Sequence, residues 1–474
     1  MIALILACGP KNIEPDMNAD PLSLRPTVAD PAAYAPPVPQ EITLSNGVGL
    51  WLEERSDLPL VSIRLVIDGG AATDPPEHPG LAWLTDSLLT HGAGDRDAVA
   101  FAEFVEQQAI DLSVSTFGTT SVVRLSTHTD RLDDALDLLA DAVLRPALAE
   151  ADLARVRELQ IGDITQSLDE PWTVAPWVAS RLYFGESHPL AHPNIGTPEG
   201  LAKISDDDLR ASWSSRYVAS RAHFVVVGAV SAETITAGLE SRLAGWSAGE
   251  PAADLPPPAG VTDGPRLVFV DNPGAAQTAL RVVMPGWSAG AEDLAAGELA
   301  TIAIGGTFTS RLNRLMREEK GYTYGARARV ISTEDYGLVV ASSSVQVDSS
   351  AEGLTDMLSV LRTAAEGFID EEQGKAYGSL RTDLIESMGS RSATASSLAG
   401  LHTIGLPPTD LGDSITAAAA VDTAAMQAAW TGRADLTGAL ILVVGDLTAL
   451  KSSVEAAIPG DWTVVEPAFP TPEL

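Results

Sequence analysis

Cysteine and basic residues are both scarce in this chain. One cysteine occurs in 474 residues, and 30 Lys and Arg stand against 64 Asp and Glu. A single cysteine excludes a disulfide framework. The net charge of −34 repels nucleic acid and anionic lipid, so we expect no polynucleotide partner. No run reaches the roughly 18 apolar residues of a membrane span, so we expect membrane contact only through a lipid anchor.

Paired metal-binding histidines are also missing. The seven histidines form no H-x-x-x-H pair on a helix face, and zinc sites in proteins commonly need such imidazoles. His188 and His192 come nearest, but prolines break their segment and we expect turn or packing roles. His91 could approach the end of the helix that precedes it. Gly305 and Gly306 lack the Lys and Ser or Thr of a phosphate-binding loop.

A serine-nucleophile pattern, GWSAG, occurs at residues 245–249 and 286–290. The second copy follows a predicted strand and precedes a predicted helix, which is the context that a nucleophile at Ser288 needs. Its base could only be His402, the one histidine downstream. A glycine-rich turn leaving a strand explains the same string, and we favour the turn.

The N-terminus places an apolar run, MIALILA, directly before Cys8. Ile5 to Cys8 resembles a bacterial lipobox, although the run is short and lacks a preceding Lys or Arg. A misplaced start codon or a stray apolar terminus is the alternative. We predict a lipoprotein signal over residues 1–8, lipidation of Cys8 and a proline-rich tether over residues 9–39. This predicts a lipid-anchored protein of the bacterial cell envelope, in the periplasm or at the outer membrane.

Two stretches of the chain repeat about 217 positions apart. Residues 222–233 parallel 438–449, and residues 62–70 parallel 280–286. A proline-rich stretch at 248–264 separates the copies. We therefore predict two homologous domains, 40–247 and 265–474, joined by that linker. Predicted strands alternate with long helices, as at 130–144 and 350–366, which favours an α/β or α+β sandwich.

A helix-like segment at 80–94, GLAWLTDSLLTHGAG, carries one group of candidate site residues. Trp83 and Ser87 stand one turn apart and share a helix face, with Asp86 beside them. An indole and a neutral hydroxyl are poor metal ligands. The segment therefore has the spacing of a metal-binding helix without its ligands.

These residues resemble the metal-binding helix of insulinase/pitrilysin-type peptidases, G-L-A-H-x-x-E-H. Trp83 and Ser87 stand at the histidine positions and Asp86 at that of the glutamate base. Residues 155–171 resemble the helix that supplies the third ligand, with Asp163 at the ligand position and Gly162 at its acidic neighbour. The resemblance implies a degenerate metal site and no zinc in this chain. We expect Asp86 and Asp163 to be ordinary acids on helix surfaces. The alternative is an unorthodox metallopeptidase that holds a hard metal between them.

Residues 307–326, TFTSRLNRLMREEKGYTYGA, resemble the C-terminal-domain signature of the same family. Phe308, Leu312 and Leu315 recur at helical spacing, and Gly321 stands where a helix would end. We expect a strand to open at Tyr322.

The family's arginine and tyrosine, seven residues apart, match Arg317 and Tyr324. The resemblance implies that the pair holds the substrate backbone and stabilises an oxyanion at the zinc site of the other domain. The alternative is an arginine at a helix C-terminus and a tyrosine lining a core. Residues 110–126 resemble the family's substrate-facing edge strand and its partner. Peptide addition to that edge and a plain hairpin both remain open.

The resemblance spans nearly everything from residue 40 onward. It implies an α+β fold with two homologous clam-shell halves, each of helix-covered, mainly antiparallel sheets. It also implies a non-catalytic subunit that pairs with a homologous zinc-bearing peptidase and acts on peptides, with zinc in the partner. The alternative is a peptide-binding or scaffold lipoprotein without protease activity.

Overall fold

Two six-stranded sheets, one from each half of the chain, form the framework. The computed structural model describes residues 34–260, 264–433, 436–458 and 463–465. The chain divides into the units Met1–Pro36 and Pro37–Leu474, and the second contains every element described below. Cys8, the predicted signal and most of the predicted tether lie outside the described residues. None of the described helices combines the length and apolar character needed to cross a membrane.

The first half forms the sheet with strand order β1-β2-β6-β3-β5-β4. Its strands are β1 (Gln40–Thr43), β2 (Gly49–Glu54), β3 (Leu60–Asp68), β4 (Asp111–Thr116), β5 (Thr120–His128) and β6 (Ala222–Gly228). Its helices are α1 (Leu81–Leu88), α2 (Ala98–Gln107), α3 (Leu132–Leu144), α4 (Glu150–Ser167), α5 (Pro171–Phe184), α6 (Pro198–Lys203), α7 (Asp206–Arg216) and α8 (Ala232–Leu243). Only β2 and β6 pair in parallel, and the remaining neighbours are antiparallel.

The second half has the strand order β12-β7-β11-β8-β10-β9. It repeats the arrangement of the first half except at its edge, where β12 pairs with β7 in parallel. Its strands are β7 (Arg266–Asp271), β8 (Gln277–Pro285), β9 (Ala326–Ser332), β10 (Gly337–Gln346), β11 (Leu440–Gly445) and β12 (Thr463–Val465). Its helices are α9 (Leu294–Thr301), α10 (Ser350–Thr363), α11 (Asp370–Glu386), α12 (Arg391–Thr403), α13 (Asp410–Ala419), α14 (Thr423–Arg433) and α15 (Leu447–Ala457). Segments Ile302–Gly306 and Asn313–Glu319 form wider helical turns.

Each sheet is covered on both faces, and the inner cover comes from the other half. One face of the first sheet packs against α3 and α8, while the opposite face packs against α12. The second sheet packs against its own α9, α10, α14 and α15 on one face and against α5 on the other. Because both faces of each sheet are buried, β3 and β8 are nearly continuous apolar runs. Each of the two strands contains one inward-facing arginine, Arg64 in β3 and Arg281 in β8.

The expected α+β class and the mainly antiparallel sheets are confirmed. The described part of the predicted linker, residues 248–260 and 264, contains no helix or strand. Residues 248–260 bind the first half. Gly260 N donates to the carbonyl of Tyr183 at 2.9 Å, and His188 Nε2 donates to that of Pro256 at 2.8 Å. The exact domain boundaries stay predictions. The strand expected at Tyr322 instead opens at Ala326, because Tyr322 N donates to the carbonyl of Met316 and closes the preceding helical turn.

Candidate functional site

Helix α1 forms where the degenerate metal-binding motif was predicted. Gly80 adopts a left-handed φ of 95° immediately before the helix, a conformation that glycine adopts at little cost. The carboxylate of Asp74 accepts the backbone N–H groups of Gly80 and Ala82, each at 2.7 Å. A carboxylate at this end of a helix satisfies free donors and complements the helix dipole. Burial raises the pKa of Asp74 to about 7.

Asp86, at the position of the family's glutamate base, is buried and fully bonded. Its Oδ2 accepts the hydroxyls of Thr116, at 2.7 Å, and Ser121. Its Oδ1 accepts the hydroxyl of Tyr217 at 2.8 Å and pairs with the guanidinium of Arg216. Four donors from three elements thus converge on one carboxylate. We call these five residues the Asp86 network.

The expectation that Asp86 is a surface acid is therefore wrong. The side chains of Asp86 and Arg216 are each 2 % exposed. Burial alone would lower the pKa of Arg216, but Asp86, with Tyr217 and Asp74 adding to its effect, more than offsets burial and raises that pKa. Burial, reinforced by Asp86, raises the pKa of Tyr217 well above 10, so the phenol stays a proton donor. Both carboxylate oxygens are engaged, so Asp86 has no free lone pair directed toward a substrate or a metal.

The two histidine positions of the motif are filled by packing and by local hydrogen bonds. Trp83 packs against the apolar cluster between α1, α4 and α7. Ser87 Oγ donates to the carbonyl of Trp83 at 2.9 Å, within the helix itself. His91, the weaker lead, donates from Nδ1 to the carbonyl of Ser87 at 2.8 Å and so binds the helix end. These side chains do not fit a zinc ion.

Asp163 lies on α4 and is exposed, as expected. The described residues contain no group of three or more His, Cys, Asp or Glu side chains that could hold a metal ion. Because Asp86 is fully bonded, a hard metal held jointly by Asp86 and Asp163 has no support from this geometry.

The second group of candidate residues surrounds the wide helical segment Asn313–Glu319. Leu312, directly before this segment, and Met316, within it, are both buried. Phe308 is 68 % exposed, so it does not lie on their apolar face, although its helical spacing predicted that it would. Asn313, which sequence reasoning missed, ties the segment to β9. Its Nδ2 donates to the carbonyl of Thr307 at 2.9 Å, and its Oδ1 accepts Ala326 N at 3.0 Å. An asparagine among the apolar residues Leu312, Leu315 and Met316 was the signal available in the sequence.

Tyr324 lies at the border of a cavity of about 840 Å³. Tyr324 is 94 % exposed and lines the cavity, so it does not line a core. The Arg317 guanidinium stacks on the ring of Phe308, 3.6 Å from its centroid, and Phe308 lines the same cavity. Arg317 Nη1 is buried without a hydrogen-bond partner. The structure joins Arg317 to the cavity through Phe308, not through a direct bond to Tyr324.

The remaining sequence candidates have structural explanations. Ser288 follows β8, in a turn where Ala289 N donates to the carbonyl of Thr333 at 2.8 Å. His402, its only possible base, stacks on His223 of the first sheet with 4.0 Å between ring centroids. Ser288 thus follows a strand of the second sheet, whereas His402 lies on α12 against the first sheet, and this separation supports the turn.

Two family descriptions match the two parts of the chain. Residues 51–184 match Insulinase (Peptidase family M16), and residues 203–377 match the Peptidase M16 inactive domain. The chain belongs to the insulinase family of peptidases. Within that family, its degenerate H-x-x-E-H motif marks it as similar to the inactive members.

The curated relatives include proteins named as zinc proteases and a protein named as a non-peptidase homolog. The chain is 24% identical to an uncharacterized zinc protease of Bacillus subtilis, YmxG, over 76% of this chain and 88% of that protein. It is 23% identical to a non-peptidase homolog, also YmxG, of Helicobacter pylori, over 70% and 75% of the two chains.

Solved structures agree on the fold. A peptidase M16 inactive domain from Pseudomonas fluorescens superposes with a TM-score of 0.81, at 23% identity, over 87% of this chain and 99% of that one. A protease from Helicobacter pylori gives a TM-score of 0.78, at 15% identity, over 86% and 100%. At these identities the likeness shows the fold alone.

Proposed function

We propose that this chain is the non-catalytic subunit of a two-chain metalloendopeptidase acting on peptides. A homologous subunit with an intact H-x-x-E-H helix would carry the zinc. This chain would supply Arg317 and Tyr324 for substrate binding and oxyanion stabilisation, and it needs no cofactor of its own.

The observation that carries this proposal is the state of Asp86. A general base needs a free lone pair within reach of a water or a substrate proton. Asp86 instead accepts four hydrogen bonds inside the protein and neutralises Arg216. With Trp83 and Ser87 at the ligand positions, no zinc-activated water can be assigned to the part of the chain that the structure describes, and on this proposal hydrolysis requires another subunit.

The exposure of Tyr324 supports the second part of the proposal. A phenol that serves only the fold would be buried with a partner, whereas this one is 94 % exposed at a cavity. The Arg317 guanidinium beside Phe308 retains an unbonded Nη1. Phenol and guanidinium are both donors suited to a developing negative charge.

The test is peptidase activity after this chain is co-expressed with a zinc-bearing homologue from the same genome. We expect the pair to cleave peptides and each chain alone to be inactive. Arg317→Ala should remove most of the activity of the pair, because it deletes a donor to the substrate. Trp83→Ala should leave activity per folded complex nearly unchanged, because Trp83 only packs.

Three outcomes would contradict the proposal. Hydrolysis by this chain alone would place the catalytic centre here. Equal losses from Arg317→Ala and Trp83→Ala would remove the division of labour. Peptide binding without cleavage in the presence of the homologue would favour the scaffold function instead.

We also propose that the chain is anchored at the bacterial cell envelope through Cys8, which lies outside the described residues. The lipobox-like residues Ile5 to Cys8 support this. Mass spectrometry of the membrane fraction should find a diacylglyceryl group on Cys8, and Cys8→Ser should release the protein. An unmodified Cys8 in a released protein would exclude the anchor.

A further inference from the structure

Three arginines line the cavity that Tyr324 borders. We define the arginine cavity by Arg281 on β8 and by Arg327 and Arg329 on β9. Arg281 lies opposite Ser342 of β10, and Ser342 lies opposite Arg327. Directly paired residues share a sheet face, and so do residues two apart on one strand, which adds Arg329. The three cationic side chains therefore belong to the same inner face of the second sheet.

The arginine cavity carries uncompensated positive charge. Among the described residues, none of its three guanidinium groups has a hydrogen-bond or ion-pair partner, and Arg281 Nε is buried without one. Burial and the neighbouring Arg329 lower the pKa of Arg281 to about 10, so it remains charged at neutral pH. Glu298 also lines the cavity, but burial, with Asp410 adding to it, raises its pKa to about 7 and no ion pair joins it to an arginine. A cationic cavity in a chain of net charge −34 calls for an anionic ligand.

The matching arginine of the first half has a different environment. Arg64 stands on β3 where Arg281 stands on β8, and it faces α12. Its Nη2 donates to the carbonyl of Ser392 at 2.9 Å and to the hydroxyl of the same residue at 2.6 Å. Its Nε donates to Ser396 Oγ at 3.1 Å, and its Nη1 donates to the carbonyl of Ile63. Arg64 is therefore satisfied within the fold.

Helix α5 covers the second sheet as α12 covers the first, but it lacks these serines. The sequence offset that carries Arg64 to Arg281 also carries Ala175 to Ser392 and Ala179 to Ser396. Both alanines are buried against the second sheet. A methyl group accepts no hydrogen bond, so the guanidinium of Arg281 has lost the acceptors that its counterpart uses. Arg64 is therefore a structural arginine, whereas Arg281, at the equivalent position of the second half, is available to a ligand.

We propose that the arginine cavity binds the carboxylates of an acidic peptide segment. The guanidinium fork matches a carboxylate in two parallel hydrogen bonds. A cavity of about 840 Å³ lies within the range of about 300–1,000 Å³ that is common for ligand sites, and it suits a few extended residues. Tyr324 lines the same cavity, so the peptide nature of the ligand rests on the proposed function. The inference adds a substrate preference, for acidic side chains or a terminal carboxylate.

The experiment measures binding of fluorescent short peptides to the purified full chain by anisotropy, at neutral pH and fixed ionic strength. One peptide carries Glu at alternate positions and an amidated C-terminus. Its matched control replaces each Glu with Gln. A third peptide has the Gln sequence and a free C-terminal carboxylate. Because no partner subunit is present, failure of this test and failure of the two-chain peptidase test are distinguishable.

We expect the Glu peptide to bind at least about tenfold more tightly than its amidated Gln control, a ratio that corresponds to about 1.4 kcal/mol. Arg281→Gln and Arg327→Gln should each weaken Glu-peptide binding by about tenfold. Arg327 is exposed, so its variant should fold even if the Arg281 variant does not. Arg131→Gln is the control, since Arg131 is exposed in the first half and the change removes the same charge.

A further variant places serines in α5 at the positions that correspond to Ser392 and Ser396 of α12. Ala175→Ser with Ala179→Ser should give Arg281 the acceptors that Arg64 has, and so weaken Glu-peptide binding while every cationic residue is retained. If the Gln peptide with a free C-terminus binds as tightly as the Glu peptide, the cavity accepts a terminal carboxylate as well as acidic side chains. Equal binding of both amidated peptides, no binding of any peptide, or an equal loss in Arg131→Gln would overturn the proposal.

Discussion

Replacing Asp86 with alanine tests whether the position of the family's catalytic glutamate has become structural in this chain. Asp86→Ala removes the acceptor of four hydrogen bonds and leaves the Arg216 charge buried and unpaired. Two nitrogens of Arg216, Nε and Nη1, already lack partners. Breaking a buried ion pair by removing one partner costs about 3–5 kcal/mol. That is a large part of the roughly 5–15 kcal/mol by which a domain is stable.

The expected shift in melting temperature follows from the size of the folded unit. The unfolding entropy of about 2.1 cal/mol/K per residue gives about 0.9 kcal/mol/K for about 440 cooperative residues, so Tm should fall by about 3–6 °C. Scanning calorimetry of the wild type and the variant measures this directly. Asp163→Ala is the matched control, because Asp163 is an exposed helical aspartate. Its effect should stay within about 0.5 kcal/mol.

A double variant separates the charge from the packing. In Asp86→Leu with Arg216→Met no charge remains buried, so part of the lost stability should return. Recovery should be incomplete because Ser121 and Tyr217 still lose their acceptor. If Asp86→Ala were as mild as Asp163→Ala, the structural explanation would fail and Asp86 would again be a candidate base or ligand.

Further predictions concern the buried histidine pair and two glycines. Burial lowers the pKa of His402 to about 4 and, with the charge of His402 adding to it, that of His223 to about 3, so the folded protein keeps both neutral. The unfolded chain takes up protons below about pH 6.5, so stability should fall as pH drops from there toward 4. His402→Gln should show a smaller loss of Tm over that range, and an unchanged loss would exclude the pair as its source. Gly305→Ala should destabilise by about 1–3 kcal/mol in urea unfolding, since its Cβ would lie 2.3 Å from Ala328 N. Gly162→Ala on exposed α4, with nothing within 4 Å, should instead stabilise by about 0.5–1 kcal/mol, and a loss there would mean that α4 has an unrecognised contact.

Local patterns were sufficient for the framework. Apolar runs indicated the strands around Arg64 and Arg281, and the repeat predicted two similar halves. The motif at 80–94 located α1, and the residues at its ligand positions were enough to predict a degenerate metal site. These features depend on residues that are close together in sequence, and the spacing typical of a helix or a strand reveals them.

Boundaries and burial were less predictable. The strand expected at Tyr322 began at Ala326, because the wide helical segment runs to Glu319 and its last turn closes at Tyr322. Phe308 was exposed despite its helical spacing, because it lies in the turn that precedes the helix. Asp86 was expected at the surface. The helical spacing of α1 could not show that the side carrying Asp86 contacts β4, Ser121 of β5 and the end of α7.

The sequence by itself determined the family, the two-sheet fold and the loss of zinc ligands, because each is written in residues close together along the chain. Only the tertiary structure decided what the remaining polar groups do. Asp86 meets Arg216 from 130 positions away, and Arg64 meets Ser392 from 328 positions away. Whether a buried charge has hydrogen-bond partners depends on such distant residues. Arg64 has these partners and Arg281 lacks them, and this difference arises only when the helices of one half pack on the sheet of the other.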